Sequence, residues 1–502
     1  MSTGSRESAQ GAGWECRPGR YVERVTKRDR PFDWLTARPL WQSRNDRLAR
    51  WFGDPTDDRR RAWMEALGVT DADLVVDHSQ GERIAFLVAA DTGEGDASQL
   101  AVVDPLLSQG EGTAFLLISG DVIYPAGGVD SYRERFFRPY DRYGGPIYAI
   151  PGNHDWYDDG AGFMFWFCGA EEALKRPRAR ALSRAWIRDL LWRRAPSADE
   201  AAIAGMRAMR ESPGRRAPQR APYLAIDTGP LRLVGIDTGI SGGIDREQGD
   251  WLRRVSSESP LPKVLFTGKP IYVDGDYHPG PIEGGGYVDD IVRDPAHNYI
   301  AAIGGDIHNY QRYPVRLEDG RTLLYLVNGG GGAFMHATHD IPNLDETELE
   351  GVKEAAFRCY PLRGDSLSRF SQLYGRKLWL PRRLVFVAPD VASAIVGRRL
   401  GIQPTRPSAR EVKITLRARF AARVLYWLPG RGRGALHLPF SEWLDWNQPP
   451  MFKSFLRVDA GPDEVHIRCF AATGCESQQD APPIEDSLHA RRRVDGTWEW
   501  LI

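Results

Sequence analysis

Cysteine is scarce in this chain. There are five in 502 residues, at positions 16, 168, 359, 469 and 475, and no two of them form a CxxC pair. So small and odd a number excludes a disulfide scaffold. The scattered cysteines favour free thiols in a reducing compartment.

Long apolar runs and an excess of one charge are also missing. No uncharged apolar stretch reaches the roughly 18 residues that a membrane span needs. The first twenty residues contain no apolar core, which predicts that the chain has no secretory signal and is cytoplasmic. Lys and Arg number 66 against 67 Asp and Glu, and 42% of residues are hydrophobic. These values indicate a globular protein rather than a disordered one.

The balanced charge conceals two basic segments. Residues 175–220 hold 13 basic against 4 acidic residues, and residues 376–433 hold 14 against 2. The second segment also carries aliphatic and Trp residues, so that it could lie on an anionic membrane surface or bind a nucleic-acid backbone. Arg is abundant throughout the chain, however, and this favours basic inserts that fold over the rest of the protein.

The order of apolar runs predicts the domain organisation. Residues 1–80 have helical spacing and predict an N-terminal extension. Strands and helices then predict a catalytic domain over 81–340, with a basic helical insert at about 160–220. An Arg-rich insertion covers 341–450, and residues 451–502 return to the domain as strands, beginning with a hairpin at 452–473. The fold class is α/β (α+β). Asp245 is predicted to cap the helix of DREQGDWLRRVS.

Polar motifs follow five of the predicted strands. In chain order they are DTG (91–93), GDVIY (120–124), GNHD (152–155), TGKP (267–270) and GDIH (305–308). Asp, Asn, His and Tyr are ligands for divalent or trivalent metals, and the adjacent glycines allow tight strand exits. Because strand ends of a sheet converge at one edge, these motifs suit a two-metal hydrolytic site.

With these motifs the sequence resembles the calcineurin-like metallophosphoesterase superfamily, most closely its purple-acid-phosphatase branch. DTG, GDVIY and GNHD match the branch's DxG, GDxxY and GNH(D/E) motifs fully, and the likeness covers about residues 84–340. The resemblance implies a metallophosphatase-like two-sheet β-sandwich flanked by helices, here with helical insertions.

The resemblance also implies roles for individual residues. The first metal would be held by Asp91, Asp121, Tyr124 and His308. The second would be held by Asp121, Asn153 and Asp306. His154 would face the substrate phosphoryl group, and Asp155 would orient His154 by accepting its other N–H. In the run after the fifth motif, Tyr310 and Arg312 would contact substrate.

Two positions depart from the family pattern. Gly268 stands where the fourth motif should supply a metal-binding His, and Asp306 replaces the first His of the fifth motif. The second metal site is therefore predicted to be weakened. Four residues are candidates to compensate as ligands or as pocket residues: His336 and His339 first, then His278 and Lys269.

The predicted reaction is hydrolysis of a phosphomonoester or phosphodiester by a metal-activated hydroxide, with two metal ions drawn from Fe, Mn or Zn. The phenolate of Tyr124 would favour Fe³⁺. The expected partner is a small phosphorylated substrate. The alternatives are a catalytically impaired phosphate- or metal-binding pseudoenzyme, and a phosphodiesterase that acts at a membrane surface or on nucleic acid. The oligomeric state is not predicted.

Overall fold

The structure is a computed structural model that describes residues 37–79, 81–171, 184–193, 199–210, 212, 214–377, 385–427, 452–474 and 481–502. The predicted segment before residue 37, two of the cysteines and residues 378–384 and 428–433 of the second basic segment lie outside the described residues. The three cysteines within them, Cys168, Cys359 and Cys469, are buried free thiols. No helix in the described ranges is long and apolar enough to cross a membrane.

Strands make up the centre of the molecule. They are β1 Val75–Asp77, β2 Ile84–Ala89, β3 Leu116–Ser119, β4 Ile147–Ile150, β5 Leu224–Asp227, β6 Arg232–Ile236, β7 Lys263–Thr267, β8 Tyr272–Val273, β9 Asp276–Tyr277, β10 Tyr299–Gly304, β11 Tyr310–Arg316, β12 Thr322–Asn328, β13 Arg358–Tyr360, β14 Ser454–Ala460, β15 Glu464–Ala471, β16 Ile484–Arg492 and β17 Trp498–Leu501.

Helices surround these strands. They are α1 Ala37–Gln42, α2 Asn45–Phe52, α3 Thr56–Ala66, α4 Ala97–Gln109, α5 Arg138–Tyr140, α6 Asn153–Trp156, α7 Ala161–Trp166, α8 Arg184–Leu191, α9 Glu200–Met209, α10 Arg246–Ser257, α11 Val288–Arg293, α12 Arg363–Lys377, α13 Pro389–Leu400 and α14 Leu416–Trp427. The predicted cap of α10 is confirmed, because the Asp245 side chain accepts the Gln248 N–H at 2.7 Å.

The strands form two mixed sheets that pack face to face. One has eight strands in the order β1-β5-β6-β7-β10-β12-β11-β13, and the other has seven in the order β17-β16-β15-β14-β2-β3-β4. A short β8–β9 hairpin stands apart from them. The prediction of a two-sheet fold flanked by helices is confirmed.

The sequence of the inner strands follows from burial on both faces. In β2, Phe86 and Val88 pack between the two sheets, whereas Leu87 and Ala89 pack against the surrounding helices. A strand covered on both sides has no solvated face, so it reads as a continuous apolar run rather than as an alternating one. The first polar residue after the apolar run of β2 is Asp91, at the strand exit.

The N-terminal extension and the Arg-rich insertion each add an edge strand to the eight-stranded sheet. β1 pairs in parallel with β5, and β13 pairs antiparallel with β11. The sequence spacing predicted a helical extension, but the extension also contains the strand β1. It is also fixed to the domain by the buried Arg60 of α3, which lies 2.7 Å from Asp237 and 2.6 Å from Asp245.

The C-terminal strands complete the seven-stranded sheet. β14 and β15 form the hairpin predicted at 452–473, and β14 pairs antiparallel with β2. β16 and β17 extend the sheet further, within the segment 451–502 that was predicted to return to the domain as strands. The returning strands thus cover β2, which leads directly into the first polar motif.

Candidate metal centre

Three aspartates at strand exits share an unusual backbone conformation. Asp91 after β2, Asp121 after β3 and Asp306 after β10 have φ angles of 56°, 43° and 68°. A positive φ costs free energy for a residue with a side chain, and such residues concentrate at functional sites. The sharp exits bring the three motifs together, and the Asp306 N–H donates to both carboxylate oxygens of Asp91, at 3.2 and 3.0 Å.

Four of the predicted ligands converge on one point. The hydroxyl of Tyr124 lies 2.9 Å from Asp91 Oδ1, 3.0 Å from Asp121 Oδ2 and 3.1 Å from His308 Nε2. All four side chains are buried. We call this cluster the first metal position.

Backbone contacts fix the tautomer of His308. Its Nδ1 lies 2.7 Å from the carbonyl oxygen of Phe334, so Nδ1 carries the hydrogen and donates it. The lone pair of the neutral ring is therefore on Nε2, the nitrogen that faces the cluster. A histidine ligand whose other N–H is held by a backbone carbonyl is a common arrangement around protein-bound metals.

The GNHD turn places Asn153 and His154 beside this cluster. The His154 N–H donates to Asp121 Oδ1 at 2.8 Å. A Cβ at Gly152 would lie 2.1 Å from the same oxygen, so only glycine fits here. The Asn153 amide nitrogen donates to the Tyr157 hydroxyl at 2.7 Å, which leaves the amide oxygen as the atom that could bind a cation.

The structure corrects the role predicted for Asp155. Its carboxylate accepts the backbone N–H groups of Val122, Ile123 and Gly152 at 3.0 to 3.2 Å, and so ties the GNHD turn to the GDVIY turn. The group that orients His154 is instead the carbonyl oxygen of Pro125, 2.9 Å from Nδ1. Asp155 therefore acts on His154 through the backbone of the turn.

The second metal position is the neighbouring region between Asp121, Asn153, Gly268 and Asp306. Here Lys269 Nζ lies 2.9 Å from Asp306 Oδ1. Burial alone would lower the pKa of Lys269, but Asp306 raises it above the ordinary value. Burial alone would raise the pKa of Asp306, but Lys269 lowers it. Both side chains are therefore charged at neutral pH.

At the first metal position, the pKa values of the acidic groups are raised and that of the histidine is lowered. Burial and the neighbouring carboxylates raise the pKa of Asp91 well above its ordinary value, and burial also raises that of Asp121. Burial together with both aspartates raises the pKa of Tyr124. Burial, and then His336, lowers the pKa of His308. Crowded, desolvated oxygens of this kind are what a bound cation would stabilise.

The donor atoms fit a metal ion at the first metal position but not at the second. Two carboxylates, a phenol and an imidazole lone pair form a set for a hard or borderline cation. The second position offers Asp121, the Asn153 amide oxygen and Asp306, and the Asp306 carboxylate is already bound to an ammonium. Among the described residues, no three His, Cys, Asp or Glu side chains are already spaced as a metal cage.

The motif order is matched by a known family. Residues 84–310 match the family model of the calcineurin-like phosphoesterases. This stretch is a calcineurin-like metallophosphoesterase domain. The family resemblance predicted from the motifs is thereby confirmed.

Two of the solved structures that are similar to this chain are a purple acid phosphatase and PhoD. A purple acid phosphatase from yellow lupin (Lupinus luteus) seeds is 9% identical, with a TM-score of 0.40, and the match covers 83% of this chain but 55% of the lupin chain. PhoD is 10% identical, with a TM-score of 0.40, over 85% of this chain and 73% of its own. The chain thus spans little more than half of the lupin enzyme. A search of curated proteins found no match.

The candidate compensating histidines differ in position within the metallophosphoesterase domain. His336 lies at the centre, with its ring stacked on His308 at 4.4 Å between centroids. His278 is exposed and lines a cavity of about 450 Å³ that also reaches Lys269 and Asp306. His339 Nδ1 lies 2.9 Å from Ser366 Oγ, and its ring packs on α12 and α14. His339 thus packs against the insertion, and its role as a ligand or pocket residue stays a prediction.

Tyr310 and Arg312 contact a residue of the other sheet. Both side chains bind Asp486 on β16, the Tyr310 hydroxyl at 2.8 Å and the Arg312 guanidinium at 2.8 and 3.0 Å. Tyr310 is fully buried between the sheets. The two residues join the two sheets through Asp486, and contact with substrate stays a prediction for them.

One residue near the centre escaped the sequence analysis. Lys453, just before β14, is buried and donates to the carbonyl oxygen of Ala333. A single lysine just before a strand carries no sequence pattern, so only the fold could reveal it. The domain therefore brings the ammonium groups of Lys269 and Lys453 and the ring of His336 around the carboxylates.

Proposed function

We propose that this chain is a metal-dependent hydrolase of phosphoesters. The observation that supports the proposal most directly is the convergence of Asp91, Asp121, Tyr124 and His308 within about hydrogen-bond distance of one phenol oxygen. A metal ion bound by these residues would supply an acidified water as nucleophile and a counter-charge for the phosphoryl oxygens. The family of the domain supports the same reaction class.

His154 is the residue that would act on the substrate. Its Nδ1–H is held by the Pro125 carbonyl, so Nε2 is the nitrogen left to reach a phosphoryl oxygen or the leaving oxygen. The ring stands 4.4 Å from that of Tyr124 between centroids, beside the first metal position. From there, in the doubly protonated form that carries a hydrogen on Nε2 as well, it would stabilise negative charge or protonate the leaving group, as general acids do.

The groups around the carboxylates favour an anionic substrate. The ammonium of Lys269, and the ring of His336 at the centre, can donate hydrogen bonds to phosphoryl oxygens. The cavity of about 450 Å³ next to Lys269 and Asp306 is large enough to accept a small organic group attached to the phosphate. We therefore expect a small phosphorylated substrate.

The test is hydrolysis of p-nitrophenyl phosphate and of bis(p-nitrophenyl) phosphate by the full-length chain loaded with Mn²⁺, Zn²⁺ or iron. Metal-dependent release of nitrophenol from either ester supports the proposal, and the preferred ester assigns the class. An iron-loaded protein with a purple colour that Tyr124→Phe abolishes would identify Fe³⁺ bound to the phenolate. No turnover of either ester with any metal, in protein shown to be folded, would contradict the proposal.

One observation favours a second candidate, a phosphate-binding protein without turnover. The second metal position holds the Lys269–Asp306 pair, and Gly268 offers no ligand. The same assay, run beside calorimetric titration with inorganic phosphate, separates the two candidates. Phosphate binding without release of nitrophenol would favour the binding protein.

A further inference from the structure

The fourth motif leaves no room for the missing ligand. A Cβ at Gly268 would lie 3.0 Å from Thr238 Oγ1 and 3.2 Å from the carbonyl oxygen of Pro151. These contacts are tighter than ordinary van der Waals distances, so a larger side chain would have to displace its neighbours. β7 therefore brings backbone, and no imidazole, to the second metal position.

The next residue brings a positive charge instead. The Thr267 hydroxyl donates to the Lys269 carbonyl at 2.9 Å and accepts the Lys269 N–H at 3.3 Å, which fixes the turn after β7. The side chain of Lys269 then reaches Asp306 Oδ1 at 2.9 Å. Both side chains are only about a quarter exposed, at 26% and 27%.

An ammonium group and a second metal ion compete for the same carboxylate. Like charges a few ångströms apart in a partly buried site repel by several kcal/mol. Asp306 stands where the family's motif has a His, so this position carries a negative charge. The ammonium of Lys269 neutralises that charge. A metal ion arriving at Asp306 would have to displace the ammonium.

His336 does not replace the missing imidazole. Its Nδ1 accepts the backbone N–H of His308 at 3.0 Å, so the hydrogen of the neutral ring is on Nε2. Nε2 is buried and has no hydrogen-bond partner among the described residues. A nitrogen that carries hydrogen has no lone pair for a metal ion, but it is suited to donate to an anion.

From this geometry we propose that the ammonium of Lys269 takes the place of the second metal ion. The chain then binds one metal ion, at the first metal position. The inference deepens the proposed function and rests on it for the role of the site. An ammonium has three N–H donors, so it can hold Asp306 and also donate to a phosphoryl oxygen. His336 Nε2–H would be a second donor to the same anion.

The primary test is the metal content of the full-length chain. The protein is equilibrated with Mn²⁺ and freed of excess metal. The amount of manganese per chain is then measured by inductively coupled plasma mass spectrometry. Electron paramagnetic resonance then distinguishes isolated from coupled ions. We expect one Mn²⁺ per chain with the spectrum of an isolated ion. Two ions per chain, or a coupled pair, would overturn the inference.

The outcomes for this inference and for the proposed function differ. Two bound ions with turnover of a nitrophenyl ester would overturn the mononuclear site and leave the hydrolase intact. One bound ion without turnover would support the mononuclear site and contradict the hydrolase. A folded chain that binds no Mn²⁺, Zn²⁺ or iron would overturn both.

Substitution of the lysine tests its role directly. In Lys269→Met the ammonium is lost while the length of the side chain is kept, which leaves Asp121, Asn153 and Asp306 as oxygen ligands. We expect a second Mn²⁺ to bind, at least about tenfold more weakly than the first, in calorimetric titration. Turnover should fall at low Mn²⁺ and recover in part at high Mn²⁺.

A matched control uses the other end of the same strand. Lys263 is a buried lysine whose ammonium donates to the carbonyl oxygens of Ser259 and Leu261. Lys263→Met should keep one Mn²⁺ per chain even if it lowers stability. If Lys269→Met also keeps one ion with unchanged turnover, the role assigned to Lys269 is wrong.

Discussion

The first and second metal positions lie side by side at the same strand exits, yet their chemistry has diverged. The first keeps a full set of donors around the phenol of Tyr124, and burial raises the pKa values of its carboxylates. The second has lost its imidazoles, and its carboxylate is neutralised by Lys269. One position is electrostatically strained without a cation, whereas the other already contains one.

This difference shows that the strand exits and the ligands they carry are separable. Both positions keep the sharp backbone turns, with positive φ at Asp91, Asp121 and Asp306. The side chains placed by those turns decide whether a metal ion is needed. A charge of the correct sign can thus be supplied either by a bound ion or by the chain itself.

The largest expected effect is on Asp121, which belongs to both positions. In Asp121→Asn the remaining oxygen can still accept the His154 N–H, now at 2.8 Å, so the turn should be kept while the charge is lost. We expect turnover of the nitrophenyl esters to fall roughly a thousandfold or more, because a metal ion supplies several kcal/mol of transition-state stabilisation. Mn²⁺ content should fall with it.

The control for Asp121 is Asp130→Asn, which alters an exposed carboxylate of the same motif region. Its turnover and Mn²⁺ content should match those of the wild type. Full turnover in Asp121→Asn would show that the Asp121 carboxylate is not required at either metal position.

A smaller loss is expected for His154, which is not a predicted metal ligand. His154→Ala removes the ring beside Tyr124, and we expect turnover to fall about a hundredfold or more, as for the loss of a general acid. Mn²⁺ content should stay at the wild-type value. Measuring both in the same preparation separates a catalytic role from a structural one, since a ligand would lose metal as well.

The sequence predicted the fold and the first metal position because both depend on local patterns. Apolar runs that end in polar residues mark buried strands and their exits, and the exits of neighbouring strands must converge. The individual roles of Asp91, Asp121 and His308 came from the resemblance to the family's motifs. The departure at Gly268 was visible only against the same motifs.

The contacts that the sequence did not reveal have a common feature, which is that they join residues far apart in the sequence. Tyr310 and Arg312 lie on one side of β11 by strand alternation, but the strand pattern does not reveal that this side meets Asp486, more than 170 residues later. His336 and His339 lie three residues apart in one glycine-rich segment. Only the packing of α12 and α14 separates their roles.

The loss of stability at acid pH should depend on the ring of His336, which is stacked on His308. Burial lowers the pKa of His336 from 6.5 to about 4. Above about pH 6.5 the ring is neutral in both states. Between about 6.5 and 4 the unfolded chain binds a proton that the folded chain does not, so stability falls as the pH drops.

The measurement is urea unfolding of metal-free protein from pH 7 to pH 4. His336→Gln should reduce the loss of unfolding free energy over this interval, by on the order of 3 kcal/mol, since each pKa unit is worth about 1.4 kcal/mol. His278→Gln, at an exposed position, should follow the wild-type curve. Identical curves for the wild type and His336→Gln would show that His336 is not the group that titrates.

The smallest effect is expected at Gly268, and it tests why the second position lost its ligand. Gly268→Ala adds a Cβ 3.0 Å from Thr238 Oγ1 and 3.2 Å from the Pro151 carbonyl oxygen, so the neighbours must shift slightly. We expect a loss of about 1 kcal/mol in unfolding free energy, the lower range for overpacking. Gly144→Ala, where a Cβ meets nothing within 4 Å, is the matched control. If Gly268→Ala is as stable as that control, the position has room for a side chain, and crowding does not explain the absence of histidine.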